Sequence, residues 1–353
     1  MRFVPKKFGN TISPGWFRLF LAVVVVFYHT SKIVFFGYWA VFVFFVLSGF
    51  WLQEMYSNKY SSLPHPVTTF YLSRFLRVYP VFAACTLLAM AVNAVIHTPV
   101  TPELDSWRQW LPLGYSMMPH KLLWPAWSLD IELQFYLLFP LAFFCLMDWT
   151  NGFRILGTLA ILMVGLWQFG APNSLATYGG FFLSGMLISR FAWSPTDAVV
   201  RSSAACIGFI LAAVFLVPEI RSSVLLDGTV KFGSVDMTRI VDVLGALLTI
   251  PFIAKNVRVA DTNFGRHAGN LSFPLYLIHW VTLGPYTTWS RGLPMLEKLA
   301  CFGVYFFVTA VLTLAVYIVV DRPFEKFRRS LTRYVALATT ARASDLARRG
   351  STS

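Results

Sequence analysis

Charge is what this 353-residue chain has least of. Asp, Glu, Lys and Arg make up 13% of it, against about 25% in an ordinary soluble domain. With 57% hydrophobic residues and a mean hydropathy of +0.62, that scarcity excludes a soluble globular fold. Cysteine is sparse too. Cys85, Cys145, Cys206 and Cys301 each sit in an apolar segment, without CxxC spacing, which excludes a disulfide framework or a thiolate metal site. No HExxH pattern occurs, so no metal is expected. No small-x-small cleavage site follows "MRFVPKKFGN", so the first apolar run reads as a spanning helix, not a signal peptide. No internal repeat is evident, and the hydrophilic loops are too short for a separate extracytoplasmic domain. Any chemistry must therefore use the membrane helices and their loops. The net charge of +13 has no soluble fold to carry a basic stripe, so no nucleic-acid partner is expected.

What is present is apolar length. A membrane helix needs about 17–25 apolar residues, and ten segments qualify, centred near 16–34, 38–56, 79–97, 122–147, 153–170, 174–191, 203–218, 237–254, 269–287 and 298–320. The expected fold is all-α, a polytopic integral membrane helical bundle of about ten transmembrane helices. Residues 1–330 form the membrane domain, and 331–353 a basic cytoplasmic tail expected to be disordered. With ten helices both termini share a side. Placing 21 of the 29 Lys and Arg residues on that side satisfies the positive-inside rule, so both termini are expected in the cytoplasm.

Ionisable residues inside such helices are functional-site candidates. In "GWFRLFLAVVVVFYHTSK", Arg18 and His29 are eleven residues apart. That is within about 20° of whole helical turns and a rise of about 16 Å, so one helix face joins an interfacial arginine to a buried base. A snorkelling arginine plus a hydrogen-bonded histidine explains the pair equally well. "FFVLSGFWL" places Ser48 and Gly49 mid-helix, where small residues favour close packing. In "RFLRVYP", Arg74 and Arg77 are neighbours on one face, suited either to phosphate or to interfacial anchoring, and Pro80 marks a helix start or kink. "WSLDIELQFYLLFP" carries Asp130 and Glu132 on different faces, which argues against a paired-carboxylate mechanism. Water exposure suits Asp130 better than the deeper Glu132. "LSFPLYLIHW" puts Tyr276 and His279 on one face, with Trp280 a potential interfacial anchor. His65, His97, His120 and His267 fall in loops or at helix ends and are not expected to be catalytic.

Taken in order, these motifs and the late "DRPFEKF" resemble the acyltransferase-3 family of integral membrane O-acyltransferases, from about Trp16 to Phe324. The resemblance is to the standalone form, without an extracytoplasmic hydrolase-like domain. It implies an O-acetyltransferase of the bacterial inner membrane. Acyl-coenzyme A, most simply acetyl-CoA, would be the cytoplasmic co-substrate, and a hydroxyl of a surface polysaccharide, or of its lipid-linked glycan precursor, the acceptor. It makes His29 the general base, or the site of an acyl-histidine intermediate, with Glu132 as second catalytic residue. Arg18, Arg74 and Arg77 would bind the donor phosphates, and Ser48, Trp127, Asp130, Tyr276 and His279 would line a substrate channel. The chain departs from the family pattern at Asp130, Leu133 and Asp321, so only Glu132 of its acidic motif carries over. The competing readings are a proton-coupled transporter and an acyltransferase acting on a lipid or small molecule.

Overall fold

The computed structural model describes residues 12–31, 34–96, 107–148, 150–167, 174–225, 231–232 and 235–335. His97, the first eleven residues and the tail from 336 lie outside them. Eleven helices run in chain order: α1 Pro14–Thr30, α2 Gly37–Met55, α3 Pro66–Val95, α4 Ala126–Asp148, α5 Asn151–Trp167, α6 Leu175–Arg190, α7 Asp197–Leu216, α8 Pro218–Leu225, α9 Met237–Asn256, α10 Asn263–Trp289 and α11 Met295–Val316. Two π turns, Tyr56–Tyr60 after α2 and Tyr317–Asp321 after α11, extend those helices, and the last continues to Val335. The strand content described is one antiparallel pair, Lys231–Phe232 with Val235–Asp236.

Each of the ten apolar segments is helical, and α8 is a short addition. Among the described residues, six helices are both long and apolar enough to cross a membrane. The protein is an integral membrane helical bundle, but a count of ten crossings is not established by helix length. α1 and α5 have 17 residues and α6 has 16, about 24–26 Å of rise against a core of about 30 Å. A second difference concerns α3. Pro66, at its first turn where no N–H partner is needed, begins the helix well before Pro80. Pro80 lies in the helix interior, and Arg74 and Arg77 belong to α3, not to a loop.

Two helix pairs fix the geometry of the site. α2 is apolar on all sides and is buried at the centre. It runs parallel to α6, with Phe42 stacked on Phe181 at 4.8 Å and Phe45 on Phe182 at 4.6 Å. A Cβ on Gly49 would lie 1.9 Å from the Phe182 carbonyl oxygen, and one on Gly185 would lie 1.9 Å from that of Val46. The two backbones touch where neither helix has a side chain. Gly49→Ala is expected to push α2 and α6 apart and cost about 1–3 kcal/mol, measured as a lower thermal transition of the purified protein. An unchanged transition would show that the contact tolerates a methyl group.

α1 and α10 are also parallel. Gly15 meets Gly265 and Gly269 across the small-xxx-small step of α10, with its own Cβ position 1.9 Å from the Gly265 oxygen. Asp261 accepts from Gly15 N at 3.2 Å. This pins the register at one end of the bundle, here called proximal. Further along the same two helices, at the distal end, it brings His29 beside His279.

Candidate active site

A cavity of about 290 Å³ lies between α1, α2, α3, α4, α10 and the extension of α11. Of the sequence-derived candidates, Arg18, Ser48, Arg74, Arg77, Glu132 and Tyr276 line it, whereas His29, Trp127, Asp130 and His279 do not.

The proximal part of the cavity is cationic. Arg77 pairs with Asp321 at 2.8 Å, the π turn at Tyr317–Asp321 delivering that carboxylate to α3. Arg74 is different. It is 9% exposed, and its partners are neutral: the Tyr60 and Tyr136 hydroxyls and the Met55 sulfur at 3.4 Å. Its guanidinium carbon stands 5.9 Å from the Phe70 and Tyr136 ring centres, its Nε has no partner, and among the described residues no carboxylate pairs with it. A buried cation left without a counter-charge is costly, which makes the site complementary to an anion.

Glu132 stands in the middle of the cavity. Ser48 donates to its Oε1 at 2.8 Å and Tyr136 at 2.5 Å. Ser48 is therefore a polar lining residue rather than only a small packing residue. The distal wall is aromatic and apolar, with Phe44, Phe45 and Phe273, and ends on Tyr276. The Tyr276 hydroxyl is 2.7 Å from Ser128 Oγ and donates to the Pro125 carbonyl at 3.1 Å.

Beyond Tyr276 stand the histidines. The Tyr276 and His279 rings are 6.1 Å apart. His279 stacks on His29 at 5.4 Å and 24°, and Trp280 packs edge-on against His29 at 5.3 Å. His279 is fully buried. Its Nδ1 is 3.2 Å from the Leu275 carbonyl, which can only accept, so Nδ1 carries the proton and Nε2 is buried without a hydrogen-bond partner. No protein group bonds the His29 ring nitrogens among the described residues, which leaves them available to a substrate. The Tyr276–Ser128 contact thus separates the cavity from the histidine pair, where the Arg18–His29 face suggested one continuous path.

The expectation that Asp130 is water-exposed is overturned. It is fully buried, accepting from Gly114 N and Ser116 N at 2.8 Å each and from Gln134 at 3.1 Å. The connection between α3 and α4 folds back over the start of α4, and Asp130 holds it there. Trp127 packs behind the cavity wall, 5.6 Å from Tyr38 and 5.4 Å from Tyr178. Outside the cavity, His267 bonds Tyr317 at 2.5 Å, His65 stands just before α3 without a side-chain capping bond, and the His120 carbonyl accepts from Gln109 at 3.0 Å.

Sequence reasoning missed Arg328 and Glu325, which also line the cavity. The charge-rich run after Asp321 reads as a topological tail. Its signal was helical spacing carried on past the apolar segment.

Fold and site define a polytopic membrane protein with a cationic cavity beside a stacked histidine pair. Residues 12–321 match the acyltransferase domain family, and the chain belongs to that family. A relative, acyltransferase MdmB of Streptomyces mycarofaciens, is 36% identical over 110 residues, 29% of this chain and 27% of the relative. The match thus spans about a quarter of that relative's length. No solved structure matches.

Proposed function

We propose that the protein is an O-acyltransferase of the bacterial inner membrane. In this reading it moves an acetyl or other short acyl group from cytoplasmic acyl-coenzyme A to a hydroxyl of a surface glycan or its lipid-linked precursor. The observation that carries the reading is Arg74, a buried guanidinium with no carboxylate, in a cavity whose opposite end is apolar and lies one ring from a histidine pair. A thioester with an anionic head and an apolar arm matches that polarity. At about 290 Å³ the cavity is at the small end of ligand-sized pockets, so it holds the acyl-pantetheine arm, with the nucleotide on the proximal arginines.

His29 takes the proton of the acceptor hydroxyl as the oxygen attacks the thioester carbonyl carbon. The C–O bond forms, the C–S bond breaks, and the proton passes from the imidazolium to the leaving thiolate. His279 keeps the His29 ring in place by stacking. Tyr276 and Ser128 must part for the acyl carbon to reach it. Purified protein transferring acyl groups from acyl-coenzyme A to a glycan acceptor supports this reading. Failure of that transfer, with thioester intact and a proton-coupled flux present, would instead establish the transporter.

Sidedness tests the arrangement independently. Ser62, before α3, and Met117, in the connection between α3 and α4, are both exposed. After removal of the native cysteines, of which Cys145 and Cys206 are exposed, Met117→Cys is expected to label in intact cells with an impermeant thiol reagent. Ser62→Cys should label only once the cytoplasmic face is opened. Labelling of Ser62→Cys from outside would put the arginines on the wrong side for a cytoplasmic donor.

A further inference from the structure

The helix that continues α11 past the π turn lays a second layer of charge on the proximal end, outside the family match. Arg328 is covered, its side chain 12% exposed, and so is Glu325 at 15%. Arg328 grips one carboxylate oxygen of Glu325 through Nε at 2.9 Å and Nη2 at 2.5 Å, and donates from Nη1 to Ser73 Oγ at 3.1 Å. Ser73 in turn accepts from Tyr60 at 2.7 Å. Glu325 has a second partner, the exposed Arg329, at 2.7 Å through its other oxygen. Arg328 lines both the main cavity and a smaller one of about 190 Å³ beside it.

The levels are ordered. Asp321 marks the level of Arg77 and Arg328 that of Ser73, and the seven-residue step from Asp321 to Arg328 makes about 10 Å of rise on the helix. Arg328 is therefore level with Arg74 and one step nearer the proximal end than Arg77. In a coenzyme A thioester the acyl group and the 3′-phosphate monoester are opposite ends, with the diphosphate between. If the acyl group points to Tyr276 and the diphosphate meets Arg74 and Arg77, the monoester on the ribose falls beside them at Arg328, level with Ser73.

Resting on the coenzyme A reading above, we propose that Arg328 and Ser73 form the subsite for the terminal phosphate monoester of the donor, and that Glu325 occupies it in the empty protein. A guanidinium that already holds a carboxylate by two N–H groups presents the fork a phosphate monoester takes. The displaced Glu325 keeps Arg329, so ligand entry leaves no carboxylate unpaired. No covalent step is involved; one anion replaces another.

Binding of coenzyme A and of dephospho-coenzyme A to the purified full-length protein tests this. The wild type is expected to prefer coenzyme A by about tenfold or more, the range of one charged hydrogen-bonding contact. Arg328→Gln is expected to lose that preference while keeping its affinity for dephospho-coenzyme A. Glu325→Gln is expected to tighten coenzyme A severalfold and leave dephospho-coenzyme A unchanged, a gain that misfolding cannot produce. A preference that survives in Arg328→Gln, or coenzyme A affinity that fails to rise in Glu325→Gln, overturns the subsite alone. Absence of binding of either ligand to the wild type overturns the coenzyme A reading and the subsite with it.

Discussion

His29→Ala is expected to abolish acyl transfer while the protein still inserts, purifies and melts like the wild type. His29 is half-buried, and its described contacts are ring contacts with Tyr28, His279 and Trp280. Truncation thus removes one face of a stack and strands no buried hydrogen-bond partner. The chemical loss is large by comparison. A positioned general base contributes about 10²–10⁴-fold, and neither ring nitrogen of His279 substitutes for it, one being committed to a backbone carbonyl and the other sealed in the core. Transfer assayed on purified protein, with the thermal transition as a folding control, gives the answer. Near-normal turnover by a well-folded variant would remove His29 from the mechanism. Labelled donor supplied without acceptor separates the two roles of the imidazole: acyl groups retained on wild-type protein but not on the variant would indicate an acyl-histidine intermediate.

Arg74 and Arg77 should part company on mutation, although the sequence treats them alike. Arg74→Ala removes a buried cation that no carboxylate balances, so stability is expected to hold or rise while donor affinity falls about tenfold or more. Arg77→Ala leaves Asp321, 3% exposed, without its partner. Breaking a buried pair from one side costs about 3–5 kcal/mol, so this variant is expected to melt much earlier. Adding Asp321→Asn to Arg77→Ala should restore part of the stability, because the orphaned charge is gone. Thermal transitions and coenzyme A titrations of the four proteins check this. Equal stability losses in the two single variants would show that the bonds of Arg74 to Tyr60 and Tyr136 are structural and that it is not held open for an anion.

The chain itself determined the class of the protein and most of its parts. Scarce charge and ten apolar segments require helices in a membrane, because backbone polar groups there must be satisfied within the segment. The ionisable residues within those helices were conspicuous for the same reason, and the order of the motifs carried the family. Position along one helix, however, says nothing about which side of it is covered. α2 and α7 are both long and strongly apolar, yet α2 is at the centre while α7 buries only Val214, a difference set by the glycine contacts of α2 with α6. Asp130 and Glu132 are two residues apart, and only the folded-back connection before α4 makes one a structural acceptor and leaves the other in the cavity. Arg77 and Asp321, like Arg328 and Ser73, are more than two hundred residues apart in sequence. Their pairing needs α3 and the π-kinked end of α11 to run antiparallel at one level, and short-range spacing cannot encode that. The separation of the cavity from the histidine pair was likewise a tertiary decision, since Tyr276 and Ser128 meet across α10 and α4 through one hydrogen bond that neither helix specifies alone.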